Sequence, residues 1–176
     1  MRALLVLATL AVWGLAIAYW SVLPDSIPMH FAHNGVPDRF ADKSVLSWFW
    51  MPALGTVFAV ALGLIAPGWL RGMAHANSQL LNMPDSVRFR ALSADARVRV
   101  MDATLTPLMW LAIILQLLFG WIVFASAQVA LEHWQALPLA PTLSAVVLII
   151  ASTVSLVLVS NRAVKDEVAA AATDAN

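Results

Sequence analysis

Four stretches of the chain, 3–24, 44–70, 103–131 and 134–161, contain no Asp, Glu, Lys or Arg. Each exceeds the about 20 residues that a helix needs to cross roughly 30 Å of hydrocarbon. One Arg at mid-span costs about 2.5–3.5 kcal/mol, whereas each Leu or Ile returns only about 0.3–0.6 kcal/mol. Uninterrupted apolar runs therefore insert into a bilayer. Hydrophobic residues make up 61% of the 176 positions and charged residues 11%. A core of this length cannot bury that much apolar surface, so the excess must face lipid. The expected fold is an all-α integral membrane domain spanning 1–165, with helices near 3–23, 46–68, 105–126 and 139–160. The residues 166–176, which include the run Val168-Ala169-Ala170-Ala171-Ala172-Thr173, are expected to fray as a disordered tail.

Met1-Arg2, the apolar run and Ala16-Ile17-Ala18 imitate a signal peptide with a small-residue cleavage site. Tyr19, Trp20, Val22 and Leu23 continue the run as far as Pro24, which favours an uncleaved first helix. Arg2, Arg71, Arg88, Arg90, Arg97, Arg99, Arg162 and Lys165 fall on one side of such a topology, against Arg39 and Lys43 on the other. The positive-inside rule then puts both termini and the 71–103 loop in the cytoplasm and the 24–45 and 127–138 loops outside. Trp20, Trp48, Trp50 and Trp134 are expected to form an outer interfacial belt, with Trp69 and Trp110 near the inner face. This describes a multi-pass protein of a bacterial inner membrane. Zero net charge and the absence of cysteine remove a nucleic-acid footprint, disulfides and thiolate chemistry from consideration.

Within the spans, Gly55, Ala59 and Gly63 recur every four residues and make one smooth helix face. Such a face serves close packing inside the bundle, or an oligomer interface. Gln116 lies near the middle of the third span and needs a partner, for which Ser152, Thr153 and Ser155 have the right depth. No span carries a charged or His side chain at depth, which argues against a charge-lined transport path. Pro107 suits a helix start, as do Pro138 and Pro141 before the last span.

The most distinctive segment is the outer loop from Leu23 to Lys43. Pro24, Pro28 and Pro37 fix backbone angles, Asn34-Gly35 signals a turn with positive φ, and Pro37-Asp38 suggests a second turn. The loop is written to hold a shape. Pro28, His30, Phe31, Asn34, Gly35, Pro37, Asp38 and Arg39, followed by Lys43, are the residues expected to structure it or to contact a ligand.

Those residues, in the order Pro28-x-His30-Phe31-x-x-Asn34-Gly35-x-Pro37-Asp38-Arg39, resemble the signature of a bacterial membrane domain of unknown function. That domain also forms the N-terminal part of SdpI-type immunity proteins. The resemblance covers roughly residues 10–70, and Asn82-Met83-Pro84 faintly resembles a second family segment. Met29, Ala32 and Phe40 stand where the family usually has a small polar residue, Asn and Trp. The resemblance implies a multispan protein that protects a producing cell from a secreted toxin peptide and recruits a cytoplasmic transcriptional repressor. It implies no catalytic residues.

Chemistry in the loop has a weaker basis. His30 and His33 share a face if the local turn is helical, and with Asp38 they form a candidate divalent-metal set. Asp25, Asp42 and His133 are further donors near it in the topology. A His30–Asp38 hydrogen bond that pins the loop is the simpler alternative. Ser26, Ser44 and Ser47 lack a nucleophile-elbow pattern. On the other side, Ser93 is a candidate N-cap for an amphipathic helix running into the third span, with an Asp95–Arg99 pair. Arg88, Arg90, Arg97 and Arg99 are expected to face anionic lipid or a cytoplasmic regulator. The expectation for function is recognition of a ligand or toxin peptide by the outer loop. A metal-dependent membrane enzyme and a structural subunit of a membrane complex are the alternatives.

Overall fold

In the computed structural model, which describes residues 1–174, the chain folds into helices α1 (Arg2–Trp20), α2 (Val45–Val60), α3 (Ala66–His75), α4 (Ser86–Ala91), α5 (Ala94–Ala130) and α6 (Leu139–Asp174). A π-helical turn, Ala61–Ile65, joins α2 to α3, and strands β1 (Ser26–Phe31) and β2 (Pro37–Asp42) lie between α1 and α2. Four helices are long and apolar enough to cross a membrane: α1, the continuous Val45–His75 rod, α5 and α6 up to Thr173. The chain is a multi-pass helical membrane protein.

Helix directions follow from matched contacts. Gly120 and Gln128 of α5 meet Val12 and Tyr19 of α1, so these two helices run parallel. Trp121, Pro107 and Arg99 of α5 meet Thr142, Ser152 and Glu167 of α6, so that pair is antiparallel. Two ends result, a hairpin end and an arginine end, with the start of α1 and the end of α6 at the latter. α5 is the central helix, packed against α1, α2, α3 and α6. α6 lies at the edge, its apolar side chains mostly turned outward.

The helix limits have local causes. Ser44 closes a reciprocal capping box with Ser47 at the start of α2. Pro67 cannot donate to Gly63, and its ring presses on that carbonyl, so the preceding turn widens into the π segment. Ser93 caps α5 by accepting from the Ala96 N–H.

Several helices run further than expected. α5 starts at Ala94 rather than near 105, because the amphipathic stretch after Ser93 joins the span, and Pro107 becomes internal. Its 37 residues measure roughly 55 Å, well beyond the about 30 Å of hydrocarbon. α6 likewise continues to Asp174 where a disordered tail from 166 was expected. Val164, fully buried among α3, α4 and α5 residues, ties that extension down, and residues 175–176 lie outside the described residues.

Polar partners inside the bundle also differ from expectation. The Gln116 amide donates to the Gly55 carbonyl on α2, not to α6, while Ser152 donates to the Pro107 carbonyl at 2.9 Å. The Gly55–Ala59–Gly63 face is used within the chain. Gly55 abuts Gln116 and Phe119, Ala59 packs with Leu5, Met109, Ala112 and Ile113, and Gly63 abuts Leu5. Trp48 leaves the interfacial belt: it is buried, and its indole N–H donates to the Ala16 carbonyl at 2.8 Å.

Candidate functional site

The loop from Ser26 to Asp42 is an antiparallel β-hairpin lying on the end of the bundle. Ile27, 1% exposed, anchors it among Val12, Ala16, Leu23, Trp48, Val123 and Ala127. The hairpin signal was present in the sequence, since Ile27, Met29 and Phe31 alternate ahead of Asn34-Gly35. β2 lacks a matching apolar alternation because it faces away from the bundle, so only half of the pair was legible.

Two irregularities shape the pair. Pro28 faces Phe40 and His30 faces Arg39, which leaves Met29 as an extra residue on β1; Phe31 faces Pro37, which leaves Asp38 as an extra residue on β2. Bulges re-aim side chains, and here the second one brings Asp38 beside His30. The His30 Nδ1 lies 2.6 Å from the Asp38 Oδ1. A carboxylate acceptor there places the ring proton on Nδ1 in the neutral imidazole and leaves Nε2 as an acceptor.

The turn is held by backbone and side-chain bonds. Asn34 Oδ1 accepts from the Val36 N–H, and Ala32 and Val36 close the turn at 2.8 Å. Gly35 adopts φ +80, and its carbonyl accepts from the Leu137 N–H at 2.8 Å. A Cβ at Gly35 would stand 2.3 Å from the Leu137 carbonyl oxygen. The tip is therefore docked on the 131–138 loop, an approach that only glycine permits. At the base, the Lys43 ammonium donates to the Leu23 carbonyl at 2.7 Å and sits 5.3 Å from the centre of the Trp20 ring.

Beneath the hairpin is a cavity of about 310 Å³ between β1, α2, α5 and the start of α6. Met29, Phe31, Trp48, Met51, Ile122 and Leu139 supply apolar walls, and His30, Ser47, Ser126 and Thr142 supply polar groups. A mostly apolar cavity with a few polar groups converging on it is the usual form of a small-ligand site. Ser47 is already committed, donating to the Asp42 carbonyl at 2.8 Å.

Of the sequence-derived site residues, Pro28, His30, Phe31, Asn34, Gly35, Pro37, Asp38 and Arg39 all belong to the hairpin, and Lys43 follows it. His33 does not join His30 and Asp38. Among the described residues no three of His, Cys, Asp and Glu come together as a metal-holding group. The chain here is extended and turning, so residues three apart do not share a face as they would on a helix. His133 pairs instead with Gln128 Oε1 at 3.0 Å.

At the opposite end the four arginines separate into two kinds. Arg97, 8% exposed, donates to the backbone carbonyls of Ala74, His75 and Leu92. It closes the C-terminus of α3 and cannot face a partner. Arg99 makes a two-pronged pair with Glu167 of α6 in place of the expected pair with Asp95. Hydrogen bonding from Arg99 holds the Glu167 carboxyl below its ordinary range. Arg88 and Arg90 remain exposed, Arg88 beside Asp85 at 3.3 Å.

Neither the curated proteins nor the solved structures contain a match to the chain. One family model, a domain of unknown function (DUF1648), matches residues 7–56, so most of α1, the whole hairpin and most of α2 are similar to that domain.

Proposed function

We propose that this chain is a bacterial inner-membrane protein whose hairpin, on the outer face, recognises a ligand at the membrane surface. The observation that carries this reading is the anchored hairpin roofing an apolar cavity. Its tip, base and strand β1 are all tied to the bundle, so little ordering cost falls on binding. β2 is largely exposed along Asp38, Arg39 and Phe40, and its far edge is unpaired in the two-stranded sheet. An extended peptide can add to such an edge through its own backbone. The excess of Arg and Lys at the arginine end supports a cytoplasmic location for that end. In the immunity role implied by the SdpI resemblance, the ligand is a secreted toxin peptide, and exposed Arg88 and Arg90 dock a cytoplasmic regulator.

The test is photo-cross-linking in intact cells, with a photoreactive residue in place of Phe40. A discrete adduct is expected, lost in His30→Ala and Asp38→Ala variants that still insert. An adduct of equal intensity in both variants would refute recognition by the hairpin. Because the chain lacks cysteine, single cysteines at Val36 and Leu80 report orientation through a membrane-impermeant maleimide. Labelling of Leu80→Cys but not Val36→Cys in intact cells would reverse the topology.

A further inference from the structure

Four buried hydroxyl side chains occur among the described residues: Thr104, Ser126, Ser152 and Ser160. Three have partners. Thr104 and Ser160 donate to carbonyls one turn back and lie 3.1 Å apart, and Ser152 donates to Pro107. Ser126, 8% exposed, makes no such bond and lines the cavity under the hairpin. Its hydroxyl opens into the cavity with no protein partner there, so this position favours an occupant that accepts its proton. Thr142, on the same cavity, already accepts from the Trp121 indole N–H at 3.1 Å. Its own O–H is also left to donate.

The cavity also lies open to the side. α2 and α6 both pack on α5, yet neither is a principal neighbour of the other. Trp50 and Met51 of α2 and Leu139 and Thr142 of α6 are opposite walls of the gap. Trp50 is 38% exposed on its outer rim, so the gap is continuous with the surface that faces lipid.

We propose that this cavity holds the ester region of a membrane phospholipid, with one acyl chain lying between α2 and α6 and an ester carbonyl accepting from Ser126. The chemistry matches. Ester oxygens accept without donating, which suits two waiting hydroxyl donors, and the chain covers Met51 and Ile122. The depth matches too, since the site lies at the hairpin end of the spans, where glycerol esters reside. The inference rests on reading the hairpin end as a binding site and names an occupant for it. The lipid would fill the floor on which the hairpin sits.

The full chain is reconstituted in vesicles of phosphatidylethanolamine and phosphatidylglycerol, doped with phosphatidylcholine bearing a diazirine in one acyl chain close to the ester. After irradiation, adducts are mapped by mass spectrometry. Labelling at Trp50, Met51 and Ile122 is expected to exceed that at Val147 and Ile150, which lie on the outward face of α6. Ser126→Ala should lower the cavity signal about fivefold relative to α6, the worth of one hydrogen bond. Ser126→Thr should keep it, and Met51→Trp should abolish it by filling the space. Equal labelling of cavity and α6 face, or a cavity signal indifferent to both Ser126→Ala and Met51→Trp, would overturn the proposal. Absence of a discrete Phe40-site adduct in the wild-type chain, with intact lipid labelling, would break only the recognition role. Intact capture with no preferential lipid labelling would break only the lipid assignment.

Discussion

The two ends of the bundle are closed by different means. At the hairpin end the fastenings are mainly backbone groups: the Gly35–Leu137 bond, the Lys43–Asp25 bond and the turn bonds around Asn34. At the arginine end they are guanidinium groups, with Arg97 on three carbonyls, Arg71 on Asp102 and Arg99 on Glu167. Backbone closure depends on chain geometry, so it is insensitive to salt and pH but intolerant of a misplaced Cβ. Side-chain closure tolerates backbone adjustment, yet its exposed pairs respond to protonation and ionic strength. A site that must present a constant shape on one side of a membrane suits the first kind of closure.

The sharpest way to break this contrast is Gly35→Val. The substitution combines a positive φ with a Cβ driven into the Leu137 carbonyl. It should cost more than about 3 kcal/mol at the hairpin end and undock the tip. Limited proteolysis of reconstituted protein should show a new cleavage near 33–37, and a hairpin that stays protected would count against backbone closure. The next effect is at the other end. Arg97→Met keeps the aliphatic bulk but leaves the carbonyls of Ala74, His75 and Leu92 without their shared donor. A loss of about 2–3 kcal/mol is expected, seen as faster amide exchange over 74–92 while the hairpin amides stay unchanged. Exchange that rises equally at both ends would show that the two closures are one cooperative unit.

The smallest effect is electrostatic. Glu167 has its folded pKa lowered by the hydrogen bond from Arg99, and both lie on helix extensions beyond the hydrocarbon thickness. Its contribution is therefore full above the ordinary glutamate pKa of about 4.3 and is lost as pH falls through the lower folded value. Protection over 163–171, taken relative to the intrinsic exchange rate at each pH, should fall on moving from about pH 7 to about pH 3, and Glu167→Gln should remove that dependence. A wild-type response no larger than that of Glu167→Gln would show that this pair closes nothing.

Much of this was legible beforehand. The four charge-free runs announced the spans, Ser44 and Ser93 sit where helices begin, and Asn34-Gly35 marked the turn. The two bulges were not legible, because a register change in a short strand pair leaves no compositional trace. The His30–Asp38 hydrogen bond was one of the expected alternatives, but the register shift that leaves Asp38 unpaired on β2 beside His30 was not. The arginines show the same limit. Arg88 and Arg97 are alike in sequence context, but one is exposed and the other is buried under three carbonyls.

By itself, the sequence determined insertion, the number of spans and a stiff polar connection between the first two. Each of these depends on properties that add up locally along the chain: transfer free energy, turn chemistry and capping. The tertiary structure alone decided which side chain answers Gln116, where Gly35 docks, which arginine is buried and that Ser126 opens onto a cavity. Those outcomes depend on how each helix is rotated about its axis and which neighbour it meets. Depth in the bilayer is nearly the same for every helix and cannot distinguish one neighbour from another, so close packing around α5 makes that choice.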